Sequence, residues 1–155
     1  MIAELLGGVV TDYLLHRTRS LQIARSLLIA VSWVLAVAAL VPAILVHNLI
    51  FGMTGFIAAL FFLGFAISPI WTATMDIAPA YAGSASALMN AAGAVAGILS
   101  PVVFGWILDR TGSWTTPFTV SLGLLLLGAV MTYWFRPDRP LDTIPSVGLL
   151  AVAGG

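Results

Sequence analysis

The sequence has no cysteine and no lysine, and charge of either sign is scarce. Six arginines and six acids make up 8% of its 155 residues and cancel to zero net charge. Without cysteine there is no disulfide framework, no thiol nucleophile and no cysteine-based metal site. Without a basic surplus no face can hold a nucleic-acid backbone, so DNA and RNA are excluded as partners. No nucleophile elbow, HExxH pair, Walker loop or dinucleotide fingerprint occurs, which leaves an enzyme reading without residues and implies no cofactor and no metal. Met1 is followed by Ile2, Ala3 and Glu4 rather than by a basic segment, so a cleaved signal peptide is not expected.

What the chain has in excess is apolar side chains, 61% of its residues. That leaves too little polar surface to cover a soluble globule and points to an all-α integral membrane fold. Crossing the roughly 30 Å of bilayer hydrocarbon takes about 20 helical residues. Residues 1–15 are apolar but shorter than that and read as the end of a longer helix. A polar connection over 16–25 carries Arg17, Arg19 and Arg25. Four spans follow, over 26–46, 49–75, 83–108 and 116–135, and a tail over 136–155 is too short to cross again. His47 and Asn48 form the first break, and Pro69 is the expected kink of the second span. The turn over 76–82 contains Pro79, and Gly112 is suited to the left-handed residue that ends the third span. The whole chain reads as a single partial transmembrane domain.

The third span differs in kind from the others. At 100° per residue Ser86, Asn90, Gly93, Gly97, Ser100 and Pro101 share one sector, and Leu88, Val95, Ile98, Leu99 and Val102 share the opposite one. In lipid a small, polar face is useful only where another helix backbone approaches or where it borders a cavity.

Around this helix the residues Asp76-Ile77-Ala78-Pro79, Tyr81-Ala82-Gly83, Asn90, Gly97, Pro101, Gly105 and Asp109 form a pattern. It resembles the link between the tenth and eleventh helices of the major facilitator superfamily. Within that superfamily the chain is most similar to the anion:cation symporters, the branch of the sialin, vesicular glutamate, hexuronate and galactonate carriers. Ala80 departs from the pattern, standing where a basic residue is common. Upstream, Gly7-Gly8-Val9-Val10-Thr11-Asp12 with Arg17 and the Ala24-Arg25 pair resembles the family's loop between helices eight and nine.

The resemblance implies a C-terminal fragment running from the end of helix eight to helix twelve. It implies a small organic acid as substrate and a proton or sodium gradient as driving force. The fragment is expected to be inactive without its missing N-terminal helices. Asn90, Ser86 and Ser68 are the candidate substrate-binding residues, Asn90 because the family's eleventh helix borders the central cavity. Each also has a plain alternative: Asn90 as a bond to a neighbouring helix, the serines as bonds to their own helix carbonyls. Gly8, Asp12 and Arg17 are the candidate conformational latch, against the alternative of a solvated loop with positive-inside charge. Glu4 stands within a helix and is a possible proton carrier, or a carboxylate at a helix end near the interface. Two other readings of the whole chain are a small four-helix dimerising exporter and a non-transporting membrane subunit.

Orientation follows from the arginines. If 16–25 is cytoplasmic, Arg17, Arg19, Arg25, Arg136 and Arg139 lie inside and only Arg110 outside. This implies a multi-pass protein of the cell inner membrane with a cytoplasmic C-terminus. Because the chain has no cysteine, single-cysteine probes have no background. Cysteines at Asn48 and Ser113 should react with an impermeant maleimide in whole cells, and those at Ser20 and Ser146 only after permeabilisation. The reverse pattern would overturn the orientation.

Overall fold

The computed structural model describes residues 1–46 and 48–134. His47, the side chain of Tyr133 and everything from Phe135 onward, with Arg136 and Arg139, lie outside the described residues. All regular structure among them is helical. In chain order the helices are α1 (Ile2–Thr18), α2 (Leu28–Leu45), α3 (Leu49–Ile77), α4 (Ala82–Thr111) and α5 (Thr115–Trp134). A π-helical turn, Gln22–Leu27, leads without a break into α2. A single 3-10 turn, Pro79–Tyr81, precedes α4. Among the described residues, four helices are long and apolar enough to cross a membrane: Gln22–Leu45, Leu49–Ile77, Pro79–Thr111 and Thr115–Thr132. The chain is thus a multi-pass membrane protein.

Two boundaries differ from the expectation. The polar connection over 16–25 is almost entirely helical: α1 runs through His16, Arg17 and Thr18, and the π turn takes up Gln22 to Arg25. Arg and Leu are good helix formers, so polarity alone does not stop a helix. What stops α1 is Arg19, in the left-handed region at φ 53°, whose N–H closes on the Leu15 carbonyl. Likewise α4 continues past Leu108 through Asp109 and Arg110 and ends only at Gly112, whose φ of 61° suits glycine. Asn48 starts α3 by accepting hydrogen bonds from the Ile50 and Phe51 N–H groups through its Oδ1, at 3.0 and 3.3 Å.

The helices meet where side chains are small. Buried residues on α2 are Ile29, Ser32 and Ala36, and on α3 Ala59, Ala66, Pro69 and Ala73, spacings that keep each set on one face. The most extensive packing is between α2 and α3, with α1 against α3 and α5 against α2. At three points only glycine fits. A Cβ on Gly7 would run into the Phe65 carbonyl, one on Gly55 would lie 2.6 Å from the Ala43 Cβ, and one on Gly128 would press on the Trp33 ring. Close backbone approach is how helices associate in lipid, where apolar burial gives no net drive.

Helix α4 is the exception. It touches α3 and α5 only marginally and buries no residue. None of the described residues comes within 4 Å of where a Cβ would stand on Gly83, Gly93, Gly97 or Gly105. The same substitution therefore has opposite consequences on two helices. Gly7→Ala should destabilise the chain by about 1–3 kcal/mol through overpacking at Phe65. Gly97→Ala should be neutral or stabilising by up to about 1 kcal/mol, the helix-propensity gain alone. Unfolding in mixed micelles measures both, and equal effects at the two glycines would contradict this packing.

Candidate functional site

At one end of the bundle, three helices are tied by a single guanidinium. The π turn buries three consecutive residues, Ala24, Arg25 and Ser26, at the junction of α1, α2 and α3. Arg25 is only 5% exposed. Its Nε donates to Asp76 Oδ2 on α3 at 3.0 Å, and its Nη1 donates to Thr11 Oγ1 on α1 at 3.2 Å. The same Nη1 stands 3.7 Å from Asp12 Oδ1. Thr11, fully buried, donates its own hydroxyl to the Ala24 carbonyl at 2.5 Å. The fixed fork of arginine serves this geometry, since one group reaches partners on two other helices.

The two acids are not equivalent. Asp76 is close and its side chain is 28% exposed, whereas Asp12 is farther and 68% exposed. Of the three expected latch residues, Asp12 joins this cluster and Gly8 lets α1 close on α3: a Cβ there would lie 3.1 Å from Ser68 Oγ. Arg17 is exposed and makes no ion pair among the described residues, so the basic partner of Asp12 is Arg25. Sequence reasoning noted Arg25 and Asp76 as parts of motifs without linking them. The available signal was an arginine in the first turn of an uncharged span, which in a membrane calls for an acid on a neighbouring helix.

The expected substrate residues are divided between two places. Ser68 on α3 lines a crevice of about 420 Å³ between α1 and α3, together with Glu4, Trp71 and Thr72. Ser86 and Asn90 stand on α4 and do not line it. Asn90 is exposed and makes no side-chain hydrogen bond among the described residues, and Ser86 Oγ is buried without a partner there. Two larger cavities are almost wholly apolar. One, about 810 Å³, separates α4 from α5 beside Phe104 and Leu124, and the other, about 670 Å³, lies where α2 gives way to α3, against Trp114 and Phe118. No group of three or more His, Cys, Asp or Glu suited to a metal exists among the described residues.

Known proteins place these features in context. The chain is 33% identical over 143 residues to the probable sulfoacetate transporter SauU of Cupriavidus necator, a match of 92% of this chain and 33% of that protein. It is 33% identical over 134 residues to the probable galactarate/D-glucarate transporter GudP of Escherichia coli, covering 85% of this chain and 29% of that protein. It is 52% identical over 75 residues to the putative uncharacterized protein YjhE of Escherichia coli, covering 48% of this chain and 92% of that protein. The chain thus spans about a third of the length of the two named transporters. No family model matches it, and no solved structure matches it.

The unequal acids around Arg25 are testable. Asp76→Asn should cost about 2 kcal/mol, the scale of a lost hydrogen bond to a charged group. Asp12→Asn should cost less than about 1 kcal/mol, as for an exposed ion pair. Arg25→Leu should exceed both, because it leaves Asp76 facing an apolar junction. Micelle unfolding of the three variants gives the order, and an Asp12→Asn cost above that of Asp76→Asn would refute it.

Proposed function

Because this chain belongs to the major facilitator superfamily and is most similar to its anion:cation symporter branch, we propose that it is part of a secondary active transporter for small organic anions, driven by a proton or sodium gradient. The observation that carries this reading is the 33% identity with a named sulfoacetate transporter across 92% of the chain. Sulfoacetate and galactarate, in the names of two relatives, are both small acids. In this reading Asn90, Ser86 and Ser68 hydrogen-bond such an acid in the completed carrier. The carrier lies in the cell inner membrane with its C-terminus in the cytoplasm.

The exposed face of α4 fits a part rather than a whole. Asn90 against lipid leaves an amide without a partner, a cost of about 1–2 kcal/mol by model-peptide values. The grooves at Gly93 and Gly97 are open to a helix backbone that the described residues do not provide. Alternating access in this superfamily works by rocking two six-helix halves about a site between them, and five helices of one half cannot do that alone. Gly8, Asp12 and Arg25 then hold α1, α2 and α3 together as one rigid body during the rocking, with Arg17 left to the cytoplasmic surface.

Two measurements test the proposal. The purified chain in liposomes under an imposed proton or sodium gradient should give no carboxylate flux above empty vesicles. Saturable flux would sink the partial-carrier reading. A chimera in which this chain replaces the matching segment of the Escherichia coli galactarate/D-glucarate transporter should support galactarate uptake. In it Asn90→Ala should raise the apparent KM and Asn90→Leu should abolish uptake, since Leu adds bulk as well as deleting the amide. Wild-type kinetics in both variants would remove Asn90 from the site.

A further inference from the structure

Helices α4 and α5 are joined only by residues 112–114, yet they do not close on each other beyond that turn. What holds them apart is aromatic. The Phe104 ring meets the Phe118 ring edge-on, with centroids 5.3 Å apart, and lies 6.3 Å from the ring of Trp114. Phe104 and Trp114 wall the 810 Å³ cleft between α4 and α5. Phe118 and the same Trp114 wall the 670 Å³ cleft beside the break between α2 and α3. The two clefts therefore flank one aromatic partition, at the end of the bundle opposite Arg25.

Their length and lining say what fills them. On α4 the first cleft extends from Ala96 to Leu108, about 18 Å at the helical rise, and on α3 the second extends from Leu49 to Phe56, about 10 Å. One leaflet of hydrocarbon is about 15 Å deep, half of the roughly 30 Å core. The first cleft thus takes most of an acyl chain and the second its upper part. Apolar walls give water no partners, and an empty cleft forfeits dispersion contacts along its length. Leu99, Val103 and Leu124 line the first cleft and remain exposed, so a chain can enter from the bilayer.

A positive charge stands at the mouth. Arg110 follows Val103 by seven residues and Leu99 by eleven, which places it on the edge of the first cleft at the end of α4. It is exposed, sits over the Trp106 ring at 5.4 Å, and makes no ion pair among the described residues. Asp109 projects from a different face, because adjacent helical residues do not face each other. Trp106 and Trp114, both exposed, mark the level where tryptophans meet lipid headgroups. A guanidinium at that level presents a fork that matches a phosphate.

We infer that this end of the bundle binds one two-chain phospholipid, with its phosphate on Arg110 and an acyl chain on each side of the partition formed by Phe104, Phe118 and Trp114. A lipid of net negative charge is favoured, since its headgroup carries no cation to compete with Arg110. The lipid fills the space that α4 leaves open toward α5. This inference is independent of the transport reading and holds for the chain as it stands.

Binding is read by quenching. The full chain, with Trp114 as its single tryptophan and the others replaced by phenylalanine, is placed in phosphatidylcholine nanodiscs containing a minor share of phosphatidylglycerol. Bromines near the ester end of the acyl chains are carried by one lipid or by the other. Brominated phosphatidylglycerol should quench Trp114 about fivefold beyond its share of the disc, the preference expected from one basic residue at the membrane surface. Arg110→Gln should bring quenching down to that share, and Arg110→Lys should keep most of the preference. Ala96→Phe combined with Ser100→Phe fills the first cleft and should lower quenching by either lipid at unchanged helicity. Quenching of the parent chain in proportion to each lipid's share overturns the proposal, as does a preference that survives Arg110→Gln. Weak quenching by both lipids, the sign of a second copy or another protein segment seated in the clefts, overturns it as well.

Discussion

A guanidinium cannot be taken almost out of solvent without partners, and the architecture of this chain is arranged around that requirement at Arg25. Each of its contacts reaches another element: Asp76 at the end of α3, and Thr11 and Asp12 near the end of α1. Those ends must therefore converge on the start of α2. The π turn is the local adjustment that makes this possible, because its wider winding lets Ala24, Arg25 and Ser26 all face the junction. Breaking the pair from one side would leave a charge in an apolar environment, so the three helices hold or release together.

Away from this cluster, cohesion comes from contact and not from charge. Lipid is as apolar as the side chains it would replace, so helices gain only where they fit more closely than lipid does. Gly7 against Phe65, Gly55 against Ala39 and Ala43, and Gly128 against Trp33 are such places. Among the described residues, helix α4 has four glycines with no such fit and a buried Ser86 hydroxyl with no partner. The same residue type thus marks finished interfaces on three helices and an open one on the fourth.

This contrast sets the limit of what the residues revealed on their own. The number of spans, the breaks near 47, 78 and 112, and the odd character of α4 follow from apolar length, proline and glycine, all of which act locally. The small, polar sector from Ser86 to Pro101 was legible as a face, but a helical wheel does not say what the face meets. The pairing of Arg25 with Asp76 spans 51 residues and depends on a π turn that propensity does not encode. Arg17 is nearer to Asp12 in sequence, yet the guanidinium beside Asp12 is that of Arg25, thirteen positions away. Glu4 was visible as an acid within a helix, whereas Ser68 and Thr72, which line the same crevice, belong to α3 and needed the fold to bring them there.

The charges are distributed unevenly over the described helices. Among the described residues the arginines are Arg17, Arg19, Arg25 and Arg110. Arg17 and Arg19 close α1, and Arg110 lies at the end of α4, where it sits over the Trp106 ring at 5.4 Å. Arg25 alone is within the bundle, and Asp76 and Asp12 already share its charge. Among the described residues, then, the positive charge inside the bundle is committed to the cluster around Asp76 and Asp12, and the polar groups left open on α4, the Asn90 amide and the Ser86 hydroxyl, are neutral.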